Sequence, residues 1–319
     1  MSTRRAIAML ILAMALFALG TPLTKWLALN GETLGLHGEN AISFCNILFV
    51  GNLCAGLAVL AYFRVWPVLS DLAALSPSGW MLVITAASLS VVVPAMLFFA
   101  LKTTSVANVV LLGRFGPLLF SIVGAIAVSR PIGKLEWIGN SFIFVSIALV
   151  AFVTGGGMIN RGDWLVLAAG VVYCVTALVS QSALAAAGLR AFVFARNFVA
   201  AVIFFAIALW LFGWYHFAEA FMARLWLVMT IYALVAVVAA QLAWYYALQR
   251  VEPTAVGTWS IISPAMGIVF ALLLLHERPQ PAQWIALGLT SIGIAIANAE
   301  ALRTVWLSNS TESSLSAVT

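Results

Sequence analysis

The sequence predicts an all-α integral membrane fold: ten transmembrane helices arranged as two inverted five-helix repeats. Three observations predict it. Apolar residues of the AVILMFWYC set make up 64% of the 319 residues and charged residues only 8%, against about a quarter charged in an ordinary soluble domain. The apolar residues fall into runs of about 20, the length that crosses a bilayer core as a helix. The second half also repeats landmarks of the first at a constant offset of 147 residues. A transmembrane barrel would alternate polarity over segments of about ten residues, a pattern absent from this chain.

The first run, 6–29, follows Arg4 and Arg5 and so begins like a signal peptide. It continues too far and lacks a small-residue cleavage site, which marks it as a retained span. Spans over 41–63, 80–101, 105–128 and 136–154 complete a first repeat, 1–155. Spans over 163–186, 191–213, 225–248, 254–275 and 281–301 form a second, 156–302. The Ser-rich end, 303–319, holds too little apolar surface to pack and is expected to be a disordered tail.

An even number of spans puts both termini on one side, and Lys plus Arg then decide which side. The N-terminal side carries Arg4, Arg5, Arg64, Arg130, Lys134, Arg190, Arg250 and Arg303; the other carries Lys102, Arg161, Arg224 and Arg278. Eight against four points to cytoplasmic termini.

Under the 147-residue offset Pro117 falls on Pro264 and Trp137 on Trp284, with Ala100-Leu101 on Ala247-Leu248 and Ile147-Ala148 on Ile294-Ala295. Common apolar letters match by chance, whereas two rare residues in register are harder to produce that way. Five spans per half is an odd number, so the second half enters the membrane from the opposite side. Many secondary transporters use such an inverted repeat for alternating access.

The chain resembles the drug/metabolite transporter superfamily, and within it the EamA-type ten-helix members. The residues that carry the likeness run from Phe98-Phe99 through Lys102 to Asn108, with Pro117 and Trp137, and from Tyr245-Tyr246 to Ala255, with Pro264, His276-Glu277-Arg278 and Trp284. Phe17 to Gly20 and Lys25 in the first span extend it over nearly the whole chain. These motifs are diffuse. One departure is that Glu277 has Arg130 at the aligned position of the first half. The resemblance implies export or exchange of amino acids or related metabolites across a bacterial inner membrane.

An ionisable group at bilayer depth costs at least about 2.5–3.5 kcal/mol, so each one needs a reason to be there. Arg114 lies about ten residues into its span, roughly 15 Å deep at 1.5 Å per residue. It either lines a water-filled cavity and pairs with an anionic group of the substrate, or holds carbonyls loosened near Pro117. Lys25 and Arg196 lie nearer span ends, where snorkelling competes with substrate binding. Each has a polar neighbour, Thr24 and Asn197, and setting Phe17 on Tyr173 brings Lys25 onto Gln181. Gln241, Tyr245, Trp259 and Ser260, with Ser263, form the second half's counterpart to the region of Arg114, against lipid-facing packing as the plainer account of the rings. Asn46 and Asn52 either line the cavity or join helices by hydrogen bonds. Pro117 and Pro264 each free a carbonyl one turn back, which suits a hinge beside a site or an inert kink.

Other classes find little support. The net charge of +5 is scattered through short loops, which argues against a nucleic-acid partner. Cys45, Cys54 and Cys174 show no ligand-like spacing and read as packing residues. His37, His216 and His276 fall in loops, and every carboxylate falls in a loop, a tail or a helix end. No metal, cofactor or intramembrane proton relay is therefore expected. An enzyme acting on lipid head groups would need clustered His, Asp, Glu or Cys at one face, and no such cluster occurs. A structural or sensory protein would carry a sizeable soluble domain. A passive channel is the nearest alternative to a transporter of small metabolites.

Overall fold

The computed structural model describes residues 3–31, 44–127, 132–154, 156–220, 223–248, 250 and 259–299. The expected tail 303–319, Arg130, the stretch 251–255 and the side chains of Cys45, Asn46 and Tyr245 lie outside the described residues. In chain order the elements are α1 (Thr3–Asn30), α2 (Phe44–Phe63), α3 (Val65–Ala73), α4 (Pro77–Leu101), α5 (Val106–Leu112), α6 (Phe115–Ala127), α7 (Lys134–Val153) and α8 (Arg161–Ala220). They continue with α9 (Ala223–Tyr232), a π-helical segment (Ala233–Ala239), α10 (Ala240–Leu248), α11 (Ile262–Leu275) and α12 (Pro281–Ala297). No strand occurs among the described residues.

Among the described residues five helices are individually long and apolar enough to cross a bilayer, and a sixth is reached if α2 and α3 are taken as one bent unit. One of the five, the 51-residue stretch 161–211, would reach about 77 Å if straight, over twice a hydrocarbon core. It is broken at Gly188, whose φ of 71° a residue with a Cβ rarely adopts. The break separates the two spans expected at 163–186 and 191–213. Large apolar side chains are exposed around the bundle, among them Leu57, Phe144, Val145 and Ile285, with Trp210 82% exposed. Water would penalise such a surface and hydrocarbon does not, so the chain is an integral membrane protein.

Two elements depart from the expected spans. After α2 the backbone turns by 102° at Arg64 into α3, where no helix was expected. Val68 and Leu72 are buried on one face of α3 while Trp66 is exposed on the other. Asp71 on α3 pairs with Arg190 just beyond the Gly188 break, through Nε and, at 2.8 Å, Nη2. That bidentate guanidinium holds the Asp71 carboxyl below the usual carboxylate range. The second departure is the π segment interrupting the span expected at 225–248.

The landmarks that repeat in sequence also repeat in structure. The span expected at 105–128 is interrupted at Gly113-Arg114, the one expected at 254–275 has a turn at Ser260-Ile261, and helices restart at Phe115 and Ile262, 147 residues apart. The next helices start at Lys134 and Pro281, again 147 apart. Each break lies just where a proline ring would collide with the carbonyl four residues back, Gly113 for Pro117 and Ser260 for Pro264. The prolines thus occupy the first turn of a new helix, where a missing N–H leaves no intrahelical bond unmade.

Helices α7 and α12 cross antiparallel at close range. Ser146 Oγ donates to Ala286 O at 2.7 Å and shares a 2.7 Å hydrogen bond with Thr290 Oγ1, both hydroxyls being wholly buried. At the other end of the contact Gly139 faces Gly293 and Ala297. A Cβ on Gly139 would lie 2.6 Å from Ala297 N, and one on Gly293 would lie 2.6 Å from Gly139 O. Lipid provides no hydrophobic drive for helices to associate, so backbone proximity and buried hydroxyl bonds hold this pair. Gly139→Leu or Gly293→Leu is expected to overpack the crossing and cost about 1–3 kcal/mol, read as a lower unfolding midpoint in detergent. Leu at Gly124, where a Cβ meets nothing within 4 Å, is the control expected to leave the midpoint unchanged.

Candidate functional site

Five chain segments converge at one end of the bundle on two carboxylates. Glu277, just after α11, accepts an ion pair from Lys25 of α1 at 2.7 Å and the Val106 N–H at the start of α5 at 2.9 Å. Lys25 Nζ also donates to Thr104 O at 2.9 Å. The second carboxylate, Asp163 in the first turn of α8, is wholly buried. It accepts from Thr104 Oγ1 at 2.6 Å, Asn160 Nδ2 at 2.8 Å and Asn108 Nδ2 at 3.1 Å. Gln283 Nε2 of α12 reaches Asn108 Oδ1 at 2.6 Å and Ser105 Oγ at 3.1 Å.

Local sequence explains why these groups meet. Ser105 caps α5 through the Asn108 N–H, and Asn160 caps α8 through the Asp163 N–H, so both turns present their polar side chains inward. Gly162 permits the approach: a Cβ there would lie 2.6 Å from Thr103 Oγ1 and 3.0 Å from Ala100 O. These donors satisfy the oxygens of a carboxyl group that would be costly to bury without hydrogen bonds. The cluster ties the ends of α1, α5, α8, α11 and α12 together as a hydrogen-bonded seal across that end of the bundle.

Beyond the seal lies a cavity of about 490 Å³ between α2, α4, α8 and α9. Its polar lining comes from Asn52, Ser90, Tyr173, Thr176, Ser180 and Arg196, with Tyr232 on the far wall. Pro94 of α4 is also in the wall and cannot bond the carbonyl of Ser90 one turn back, so that oxygen is released beside the cavity. Tyr232 immediately precedes the π segment, a type of irregularity frequent at functional sites, and its hydroxyl bonds Thr24 Oγ1 at 3.2 Å. A smaller cavity of about 170 Å³ lies between α1, the α5–α6 break and α11, lined by Phe17, Thr21, Arg114, Pro117 and Ser263. Tyr173 lies within electrostatic reach of both Arg114 and Arg196.

The sequence candidates separate into three places. Arg114 and Pro117 line the small cavity, and the Arg114 side chain makes no hydrogen bond to a described residue, so the loosened-carbonyl role has no partner here. Arg196 lines the large cavity, and Asn52 lines it too while donating to Leu48 O of its own helix at 2.7 Å. Lys25 lines neither and is committed to Glu277 and Thr104. Asn197 is buried behind Arg196, donating to Val193 O at 2.9 Å and to Gln241 Oε1 at 3.4 Å, which joins α8 to α10. Gln181 is exposed on α8 and lines neither cavity. Trp259 packs on the cluster of Ala6, Leu10, Met14 and Ala247, Ser260 sits in the turn before α11, and Pro264 is buried in its first turn.

Sequence reasoning passed over Tyr173, Thr176 and Ser180, although their spacing of three and four residues is a one-face helical stripe and was a usable signal. It also placed Asp163 at a helix end without foreseeing its burial, which depends on the 102–105 turn folding over it.

A bundle of apolar helices around a cavity with polar groups in its wall has the form of a membrane transport protein. The chain belongs to the EamA-like transporter family, whose model matches residues 160–299. It is 31% identical over 305 residues to an uncharacterized transporter of Synechocystis sp., covering 92% of this chain and 87% of that one. A crystal structure of a protein with 18% identity superposes at a TM-score of 0.62, covering 95% of this chain and 99% of its own, which shows a shared fold.

Glu277→Gln is expected to remove the ion pair while keeping an acceptor for Val106, at a cost of about 1–3 kcal/mol. The same variant should raise thiol-reagent labelling of Thr21→Cys. Lys25→Gln combined with Glu277→Gln should cost less than the two single changes summed, and strictly additive costs would count against the ion pair.

Proposed function

We propose that this membrane transporter is a secondary transporter, exporting or exchanging small metabolites with an anionic group, such as amino acids or related organic anions, by alternating access. The observation that carries the reading is the cavity of about 490 Å³ with Arg196 in its wall and a hydrogen-bonded seal at one end of the bundle. One sealed end is what a single state of an alternating cycle requires. A cavity of this size suits a small metabolite. Lys25 and Glu277 would part, and the Asp163 cluster loosen, when the sealed end opens.

Ten spans in two inverted five-helix repeats are supported by the helix restarts 147 residues apart and by the antiparallel crossing of α7 and α12, corresponding elements of the two halves. In corresponding halves of like orientation such helices would run parallel. With the repeats bounded at 155 and 302, the basic-residue balance puts both termini in the cytoplasm, and the seal then lies on the outer side. A bacterial inner membrane suits the cyanobacterial origin of the relative.

In this scheme Arg114 and Arg196 attract the anionic group, the apolar wall of Ile47, Leu48, Val93 and Leu97 holds the carbon skeleton, and the helix breaks before Pro117 and Pro264 provide the hinges. Counterflow in liposomes tests it, screening labelled amino acids, organic acids and neutral metabolites. The parent should exchange anionic or zwitterionic compounds, and folded Arg114→Ala or Arg196→Ala should lose at least about tenfold in rate, the effect of about 1.4 kcal/mol of lost interaction. Uptake that unlabelled internal substrate fails to accelerate would favour a channel instead.

A further inference from the structure

The charge balance of the two cavities narrows the substrate class, given the transport reading above. Arg196 faces the large cavity and Arg114 the small one. The remaining polar lining consists of hydroxyls and one amide: Asn52, Ser90, Tyr173, Thr176, Ser180 and Tyr232 in the first, Thr21 and Ser263 in the second. Among the described residues neither lining contains a carboxylate.

The carboxylates whose side chains are described are all engaged elsewhere. Asp71 pairs with Arg190 and Glu277 with Lys25. Asp163 is enclosed by Thr104, Asn108 and Asn160, and Glu136 accepts from Ser121 Oγ at 3.0 Å. Neither Arg114 nor Arg196 forms an ion pair with any of them.

The physical consequence follows from the difference between a zwitterion and an anion. A carboxylate of either ligand gains a guanidinium partner. An α-ammonium group, one carbon away from its own carboxylate, would enter the same low-dielectric space with no acidic acceptor and with a fixed guanidinium in the wall. Discrimination of this kind arises from the missing partner and the like-charge repulsion more than from any added attraction. An anion without an ammonium group instead supplies the negative charge that the two arginines lack.

We infer that the transport site selects organic anions that carry no ammonium group, carboxylates above all, over the amino acids built on the same carbon skeleton. The apolar wall accepts the skeleton of either, so the selection rests on charge and not on shape.

Matched pairs test this directly: 3-phenylpropanoate with phenylalanine, 4-methyl-2-oxopentanoate with leucine, and 2-oxoglutarate with glutamate. Each is measured twice on the full chain, by counterflow in liposomes and by thermal stabilisation of the purified protein in detergent. The deaminated member of at least one pair should exchange, and stabilise, at a concentration at least tenfold below its amino acid, and Arg196→Gln should erase the difference. Ser180→Asp, which adds a carboxylate to the wall and leaves both arginines in place, should cut the preference at least fivefold; a preference unchanged in folded Ser180→Asp would overturn the inference. So would amino acids that match or exceed their deaminated partners in the parent, or no stabilisation by any member of any pair. Stabilisation by the anions without exchange would sustain the selectivity while removing the transport reading.

Discussion

Hydrocarbon offers no hydrogen bonds, so each polar group carried into this bundle has to find its partner within the protein. Asp163 is where that constraint presses hardest. Its carboxyl group is buried at the head of α8, and Thr104, Asn108 and Asn160, from two other turns of chain, must close around it. Once they do, Asn108 takes its remaining bond from Gln283, and the neighbouring turn places Thr104 O and the Val106 N–H where Lys25 and Glu277 can meet them. The seal is thus one continuous polar network, anchored on a carboxylate that would be costly to leave unpaired.

Elsewhere the bundle has to hold together without a hydrophobic drive between helices, and it does so by small residues. The Gly139–Gly293 approach and the Ser146–Thr290 bond fasten α7 to α12, Gly170 lets α8 lie against Phe115 and Gly116, and Gly267 lies against Val110. These contacts leave the opposite faces of the helices free to carry large apolar side chains outward into lipid. The tight seams and the cavity are complementary: backbones approach closely along α7 and α12, and a cavity is left between α2, α4, α8 and α9, where the polar stripe of Tyr173, Thr176 and Ser180 lies.

The prolines connect these two features. Pro117 and Pro264 interrupt their apolar segments one turn before the ring, at Gly113 and Ser260, and the first interruption places the Arg114 side chain at a cavity instead of at a lipid-facing surface. Pro94 releases a carbonyl at the wall of the larger cavity. Irregular backbone at membrane depth is tolerated where it lines a cavity or is covered by protein, and both conditions are met here. The expectation that Pro117 and Pro264 are mid-span kinks is refined accordingly: they begin new helices.

The amino-acid sequence by itself determined the helical membrane class, a run of apolar segments from 6–29 onward, a boundary between 186 and 191, and the register of 147 residues that the helix starts at 115 and 262 and at 134 and 281 reproduce. Those properties are written locally, in hydropathy, glycine and proline. Only the tertiary structure decided which polar residues share a site. Lys25 and Glu277 are 252 positions apart in the chain yet 2.7 Å apart in space, while Asn197, beside Arg196 in sequence, turns to the next helix because neighbours on a helix point about 100° apart. The bend at Arg64, the helix α3 beyond it and the burial of Asp163 likewise depend on contacts between distant segments, which a single sequence does not encode as a local pattern.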